Sequence, residues 1–346
     1  MRFYSDQHAF YCGVDLHART MSVCVLDQTG QVRLEQTAKT RPDVFLAMLQ
    51  PFRGGLVVSA ECVFCWYWLA DLCADEGIEF VLGHALYMKA IHGGKAKNDR
   101  IDAEKIARLL RGGNLPMSYV YPREMRSTRD LLRRRTFLVR RRAEAMGHIT
   151  NTHSQYNLPP SGTLSYKANR SGVADSFEDE SVRWMVQTDL TLIGHYDAVI
   201  RELENYLERH AKVNDPHTYQ LLRTVPGIGR VLALVILYEI DTIRRFPTVG
   251  QFVSYCRLVK CAHESAGKRL GSGGSKIGNA HLKWAFSEAV PLMMRELPEA
   301  KRFVQRRERK VGKGKAMSIL GARIARAVYH MLKRKEPFHV KTFFAS

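Results

Sequence analysis

The 346-residue sequence predicts an α/β domain with a mixed sheet, a long helical arm and a mostly helical C-terminal domain. Three observations carry this. Short β-rich runs alternate with helix-spaced apolar runs between residues 10 and 110, long charged helical stretches fill 123–213, and further helical runs around a glycine turn occupy 214–346. The expected domain boundaries are 1–122, 123–213 and 214–346.

FYCGVDL and MSVCVLD flank the turn-prone HART, and GQV follows with its own turn residue Gly30, the pattern of a hairpin or meander. Leu56 to Ala60 is almost wholly apolar, as expected of a strand covered on both faces. WYWLADLCADEG is apolar at helical spacing and stops at Gly77, ahead of the strand-like IEFVLG. DRIDAEKIARLLRGG reads as a helix with Ile101, Ile106, Leu109 and Leu110 available for burial and with Gly112 and Gly113 as its stop.

In the arm, residues 123–142 hold nine Arg against Glu124 and Asp130, a net +7 beside an apolar stripe, which predicts a helix with an electropositive outer face. A loop containing Pro159, Pro160, Gly162 and Gly172 leads to a second helix at about 181–212. The pair reads as an antiparallel arm or a dimerising coiled coil, with plain intramolecular packing as the alternative. Farther on, LLRTVPGIGRVLALVILYEI places Pro226, Gly227 and Gly229 in a tight turn between helical segments. This resembles a helix-hairpin-helix element that offers backbone N–H groups to a phosphate; a purely structural turn is the alternative.

Charge narrows the function classes. The chain has 53 Lys and Arg against 34 Asp and Glu, a net +19 that calls for a polyanionic partner, nucleic acid first. From Ala300 onward, 14 Lys or Arg face only Glu308 and Glu336, a surface suited to backbone phosphates. No run approaches the roughly 20 apolar residues of a membrane span, and MRFYSDQHAF lacks a signal-peptide layout. The protein is expected to be cytoplasmic and, if bacterial, nucleoid-associated. Seven cysteines do not form a secreted disulfide pattern, and Cys62-x-x-Cys65 has no second pair to complete a zinc site.

Phosphodiester chemistry needs divalent metal, typically two Mg²⁺ about 4 Å apart in a cluster of carboxylates. Asp15 ends the first strand and Glu61 follows the apolar strand, while Asp99 and Asp102 in KNDRIDA share one helix face at i, i+3. Singly, each has a bland reading as turn former, surface residue or helix cap; the order D…E…D-x-x-D points to a metal site.

GVDLH, then SAE, then KNDRIDAEKIARLL followed by GNLP, resembles the amino-terminal domain of the DEDD insertion-sequence transposases. VPGIGRVLALVILYEI through FPTVGQFVSYCRL to ESAGKRLGSGGSKIGNAHLKWAF resembles their second signature domain. The resemblance implies a RuvC-like, ribonuclease H-type fold for the first domain. It also implies recombination of donor and target DNA guided by a structured noncoding bridge RNA, Mg²⁺ at the four carboxylates, and a homo-oligomer. It adds a serine nucleophile, assigned to Ser265 in Glu264-Ser265-Ala266-Gly267, with Ser272 and Ser275 as rivals. Nucleic-acid contacts are expected from Gly227, Gly229, Lys268, Arg269, Lys276, Asn279, Arg133 and Arg134. Arg257, Leu258, Val259 and Lys260 depart from the family's usual Gly-Leu-x-Pro, as do Gly274 and Ser275 from Ile-Thr and Lys283 from Arg. The rival functions are a metal-dependent resolvase or nuclease that needs no serine, and a non-catalytic nucleic-acid-binding protein.

Overall fold

The computed structural model describes residues 2–91, 98–259, 261–265, 268–273 and 277–345, with the backbone alone at 90, 261–265 and 269–273. The chain forms two compact units, Met1–Arg123 and Glu124–Ser346, so the arm and the C-terminal helices fall in one unit.

In unit 1, β1 (Phe3–Tyr4) precedes the meander β2 (Phe10–Leu16), β3 (Thr20–Asp27) and β4 (Val32–Lys39). Helix α1 (Pro42–Leu49) crosses to β5 (Leu56–Glu61), α2 (Tyr67–Asp75) to β6 (Glu79–Gly83), and α3 (Ala85–Ile91) and α4 (Asp99–Arg111) precede β7 (Leu115–Pro116). The main sheet has the order β4-β3-β2-β5-β6. Its meander is antiparallel, whereas β5 runs parallel to both β2 and β6. This mixed sheet is compatible with a RuvC-like domain. The two-residue pairing of β1 with β7 and the helix α1 have no counterpart in the sequence reading.

Alternation along the strands divides the core. Cys12, Val14 and Leu16 of β2 pack with Val58, Ala60, Phe45 and Leu69 on the α1/α2 face. On the other face, Tyr11 and Val57 pack with Ile106, Leu109 and Leu110 of α4. Gly13 lies on this second face because α4 crosses β2 too closely for any side chain. A Cβ there would fall 2.2 Å from the Ala103 carbonyl oxygen and 2.4 Å from the Ala107 nitrogen.

Unit 2 is helical. Its elements are α5 (Arg123–Gln155, entering from the last residue of unit 1), α6 (Glu180–Asn214), α7 (Pro216–Arg223), α8 (Arg230–Ile240) and α9 (Val249–Tyr255). Then come the antiparallel strands β8 (Cys261–Ser265) and β9 (Lys268–Gly273), followed by α10 (Ala280–Glu296), α11 (Pro298–Val311), α12 (Lys313–Arg334) and α13 (Val340–Ala345). Nearly every residue of α8 is buried, and its apolar side chains share a core with those of α10 and α12. The arm is an antiparallel pair: Arg135 meets Glu204 (2.5 Å), Arg142 meets Asp197 (2.6 Å) and His148 meets Asp189 (2.5 Å), the numbers rising on α5 as they fall on α6.

These pairs narrow the electropositive face expected of α5. Arg129 and Arg133 converge on Glu239 of α8, Arg135 and Arg142 are paired to α6, and Arg126 is buried. Arg134, Arg140 and Arg141 are the exposed arginines of the 129–142 stretch, and Arg134 and Arg141 flank the Phe137 ring at 4.6 and 5.0 Å. Sequence alone hid this because the partner acids lie 55 to 110 residues away.

Candidate active site

The acidic site is assembled at one end of the central strands of the unit 1 sheet, on the face covered by α4. Asp15 is two residues beyond Gly13 and therefore shares its face. Val14 pairs with Ala60, so Asp15 and Glu61 end adjacent parallel strands, and Glu61 shares the face of Val57. Helix α4 then brings Asp99 and Asp102 in its first turn. Its cap is Asn98, whose side chain accepts from the Arg100 N–H at 3.0 Å, so neither aspartate is needed for capping.

The ligand atoms of Asp15, His17 and Asp99 lie within 4.8 Å of one another. His17 Nε2 is 3.3 Å from Asp15 Oδ2 and 3.8 Å from Asp99 Oδ1. His17, exposed in the turn after β2, has its ring within reach of both carboxylates. Glu61 and Asp102 stand outside this tight group, and Asp102 Oδ1 accepts from Lys105 Nζ at 3.1 Å. Burial pushes the Asp15 carboxyl above its ordinary value; His17 opposes the shift, and the charges of Asp99 and Asp102 add to it. A half-buried carboxyl with a second carboxylate and an imidazole at this range forms a donor set that fits a divalent cation. Asp15, His17 and Asp99 would hold it, with Asp102 and Glu61 adjoining.

The second half of the expected site lies in unit 2. Ser265 ends β8 and pairs across the hairpin with Lys268, the first residue of β9; Glu264 pairs with Arg269. The side chains of Ser265, Ser272 and Arg269, and all of Ser275 and Lys276, lie outside the described residues. Lys268 is exposed.

The hairpin leaves the helical body through a tied neck. The Asn279 N–H donates to the Tyr255 carbonyl at 2.6 Å, and Arg257 Nε donates to the Gly278 carbonyl at 2.9 Å. Asn279, expected to face nucleic acid, is instead buried: its Oδ1 accepts from the His281 and Leu282 N–H groups at the start of α10, and its Nδ2 donates to Glu239 at 2.7 Å. Arg133, from the same expectation, donates to Glu239 at 2.7 and 3.0 Å. Burial would raise the Glu239 carboxyl, but the Arg133 hydrogen bonds, the charges of Arg129 and Arg133, and Asn279 together hold it at about 2. Arg134 remains exposed.

The expected hairpin phosphate site is also altered. Gly227 has φ +83°, and a Cβ there would fall 2.5 Å from the Met293 nitrogen of α10. Its N–H donates to Glu296 at 3.0 Å and is not offered outward. Gly229, at the start of α8, is exposed with open space around it, but the neighbouring Arg230 is engaged by Glu204 at 2.6 Å.

Residues 12–157 match the family model for DEDD-type transposases of the IS110 group, and residues 219–305 match that for the transposase IS116/IS110/IS902 family. The chain is 23% identical over 342 residues to the transposase for insertion sequence element IS1111A of Coxiella burnetii, covering 94% of this chain and 90% of that protein. It is 26% identical over 291 residues to the transposase for insertion sequence element IS1328 of Yersinia enterocolitica, covering 82% and 84%. With an acidic strand-and-helix site in the first matched segment and the second signature following in order, the chain belongs to the IS110 family of DEDD-type transposases, enzymes that cleave and rejoin DNA.

Proposed function

We propose that this transposase excises and inserts its own element under the guidance of a structured noncoding RNA, using Mg²⁺ at the acidic site and Ser265 as nucleophile. The observation that carries the metal half is the convergence of Asp15, His17 and Asp99, with Asp102 close enough to raise the Asp15 carboxyl. A cation held there by Asp15, His17 and Asp99 would supply charge neutralisation at the attacked phosphate. The Ser265 hydroxyl attacks phosphorus, and its proton passes by way of solvent to the leaving oxygen. A serine–phosphate bond forms, a strand is released at a deoxyribose hydroxyl, and the bond energy is kept for rejoining. Specificity then rests on base pairing with the RNA, and the protein's positive surface holds backbones.

The serine comes from the neighbouring protomer of a homo-oligomer. Support for association is a row of exposed apolar residues on α6, Met185, Leu192, Tyr206 and Val213, all in one heptad position.

Strand exchange on a donor–target pair, read beside a denaturing gel, tests the proposal. Ser265→Ala should abolish the covalent protein–DNA adduct and Asp15→Ala should abolish exchange, with RNA binding retained in both. Exchange that survives Ser265→Ala would move the reading to a water-using nuclease. Full activity in Asp15→Ala would remove the metal site altogether. Copurified RNA should be one discrete transcript encoded beside the gene; random cellular RNA would count against guiding.

A further inference from the structure

The C-terminal helices form a second site that the acidic chemistry does not use. A groove of about 610 Å³ lies where α11, α12 and α13 meet. Among the described residues, Arg302, Arg306, Arg307, Lys310 and Arg323 line it against one acid, Glu299. On α11, Arg302, Arg306 and Lys310 recur every four residues and so share one face, and Phe303 and Arg307 form the adjoining row. Arg302 reaches Glu299 only at 3.6 Å, and Arg306 and Lys310 have no carboxylate partner among the described residues.

Rings are set among these charges. The Arg307 and Arg323 guanidinium groups lie 5.4 and 5.3 Å from the Phe303 ring centre. Phe344, also in the groove wall, has its ring 6.4 Å from that of Phe303 at a 58° tilt. Burial, and then the charge of Arg307, pushes the Arg323 guanidinium below its ordinary value, so positive charge is crowded here. An anionic ligand relieves that repulsion. Partly exposed phenyl rings beside phosphate-binding cations do more: they offer a face on which any base can stack. A duplex keeps its bases stacked on one another and presents only backbone, so the rings would find nothing to cover.

The geometry points to a binding site for one or two unpaired nucleotides of RNA, bases against Phe303 and Phe344 and phosphates against Arg302, Arg306 and Lys310. RNA is the source because the DNA a transposase cuts arrives as duplex, whereas a folded RNA supplies loops and bulges with unpaired bases. This rests on the RNA-carrying reading above.

Fluorescence anisotropy on the full chain tests it, with labelled oligouridylate, oligodeoxythymidylate and duplex RNA of equal length. Phe303→Leu, which keeps the apolar packing, should weaken oligouridylate binding about tenfold and leave duplex RNA within about twofold. Arg306→Gln with Lys310→Gln should weaken oligouridylate binding by about tenfold or more and lower its log–log salt slope by about 1.4. Arg201→Gln, an exposed cation of α6 outside the groove, should change neither. A 2-aminopurine in the RNA should be quenched on binding wild type and less so on binding Phe303→Leu. Unchanged oligouridylate binding in Phe303→Leu, or an equal loss on duplex, would overturn the site. Groove-dependent binding that favours oligodeoxythymidylate would overturn the RNA source. Behaviour as expected while copurified nucleic acid holds no discrete transcript would end the guide reading and leave the site standing.

Discussion

Two carboxylate sites in this molecule have opposite electrostatic designs. At the end of the central strand β2, Asp15 sits with Asp99 and Asp102 close by, and its carboxyl is raised. In the helical unit, Glu239 is surrounded by Arg129, Arg133 and Asn279, and its carboxyl is held at about 2. Both are buried enough for desolvation to matter, so counter-charge decides the outcome. The first site is short of cations within the protein and suited to receive one from solution; the second is satisfied and structural. The position of an acid on a strand or helix says little until its partners are known.

The sharpest way to break this contrast is to neutralise one acid of each kind. Asp15→Asn should lower strand exchange by about a thousandfold or more, about 4 kcal/mol of barrier, without loss of folding stability. Denaturant melting beside the exchange assay separates the two effects. Glu239→Ala should do the reverse first: it strands Arg129 and Arg133 and should cost about 3–5 kcal/mol of stability by the same melting.

Gly13→Ala attacks the acidic site through its scaffold. The added methyl meets the α4 backbone, and the helix must shift at a cost of about 1–3 kcal/mol. Because Asp99 and Asp102 travel with α4, exchange should fall by more than the stability loss explains, and loss of stability with normal exchange would show that the acids are placed some other way.

The smallest effects are those of pH, and their signs differ between the sites. The Glu239 carboxyl is lowered from its ordinary 4.5 to about 2, so its contribution is complete above pH 4.5 and is lost as pH falls toward 2. The stability gap between wild type and Glu239→Gln should close over that window. Asp15 is raised, so in metal-free protein its ionisation opposes folding and stability should rise as pH falls through its titration. That slope should be absent in Asp15→Asn, and Mg²⁺ should stabilise wild type but not the variant.

Much of unit 1 was legible because its signals are local. β-rich and apolar runs between turn residues revealed the strands, glycine marked the stops at 77 and 112–113, and the i, i+3 spacing put Asp99 and Asp102 in one helical turn. What was hidden depends on distant partners. His17 gains its place only when α4 crosses β2, and Gly13 permits that crossing. The arginine run of α5 looked like open surface because Glu204 and Glu239 are remote in sequence. The Pro-Gly turn at 226–227 was readable as a turn, yet its outward N–H was spent on Glu296, 69 residues on.

The knot of bonds joining Tyr255 and Arg257 to Gly278 and Asn279 sets a leash length for the hydroxyl group. Ser265 lies eight residue steps beyond Arg257, and a chain spans at most about 3.6 Å per residue, so the serine cannot stray farther than about 29 Å from this anchorage. If Ser265 acts as proposed, the phosphate it attacks has to be brought inside that sphere, and lengthening the tether should relax the demand.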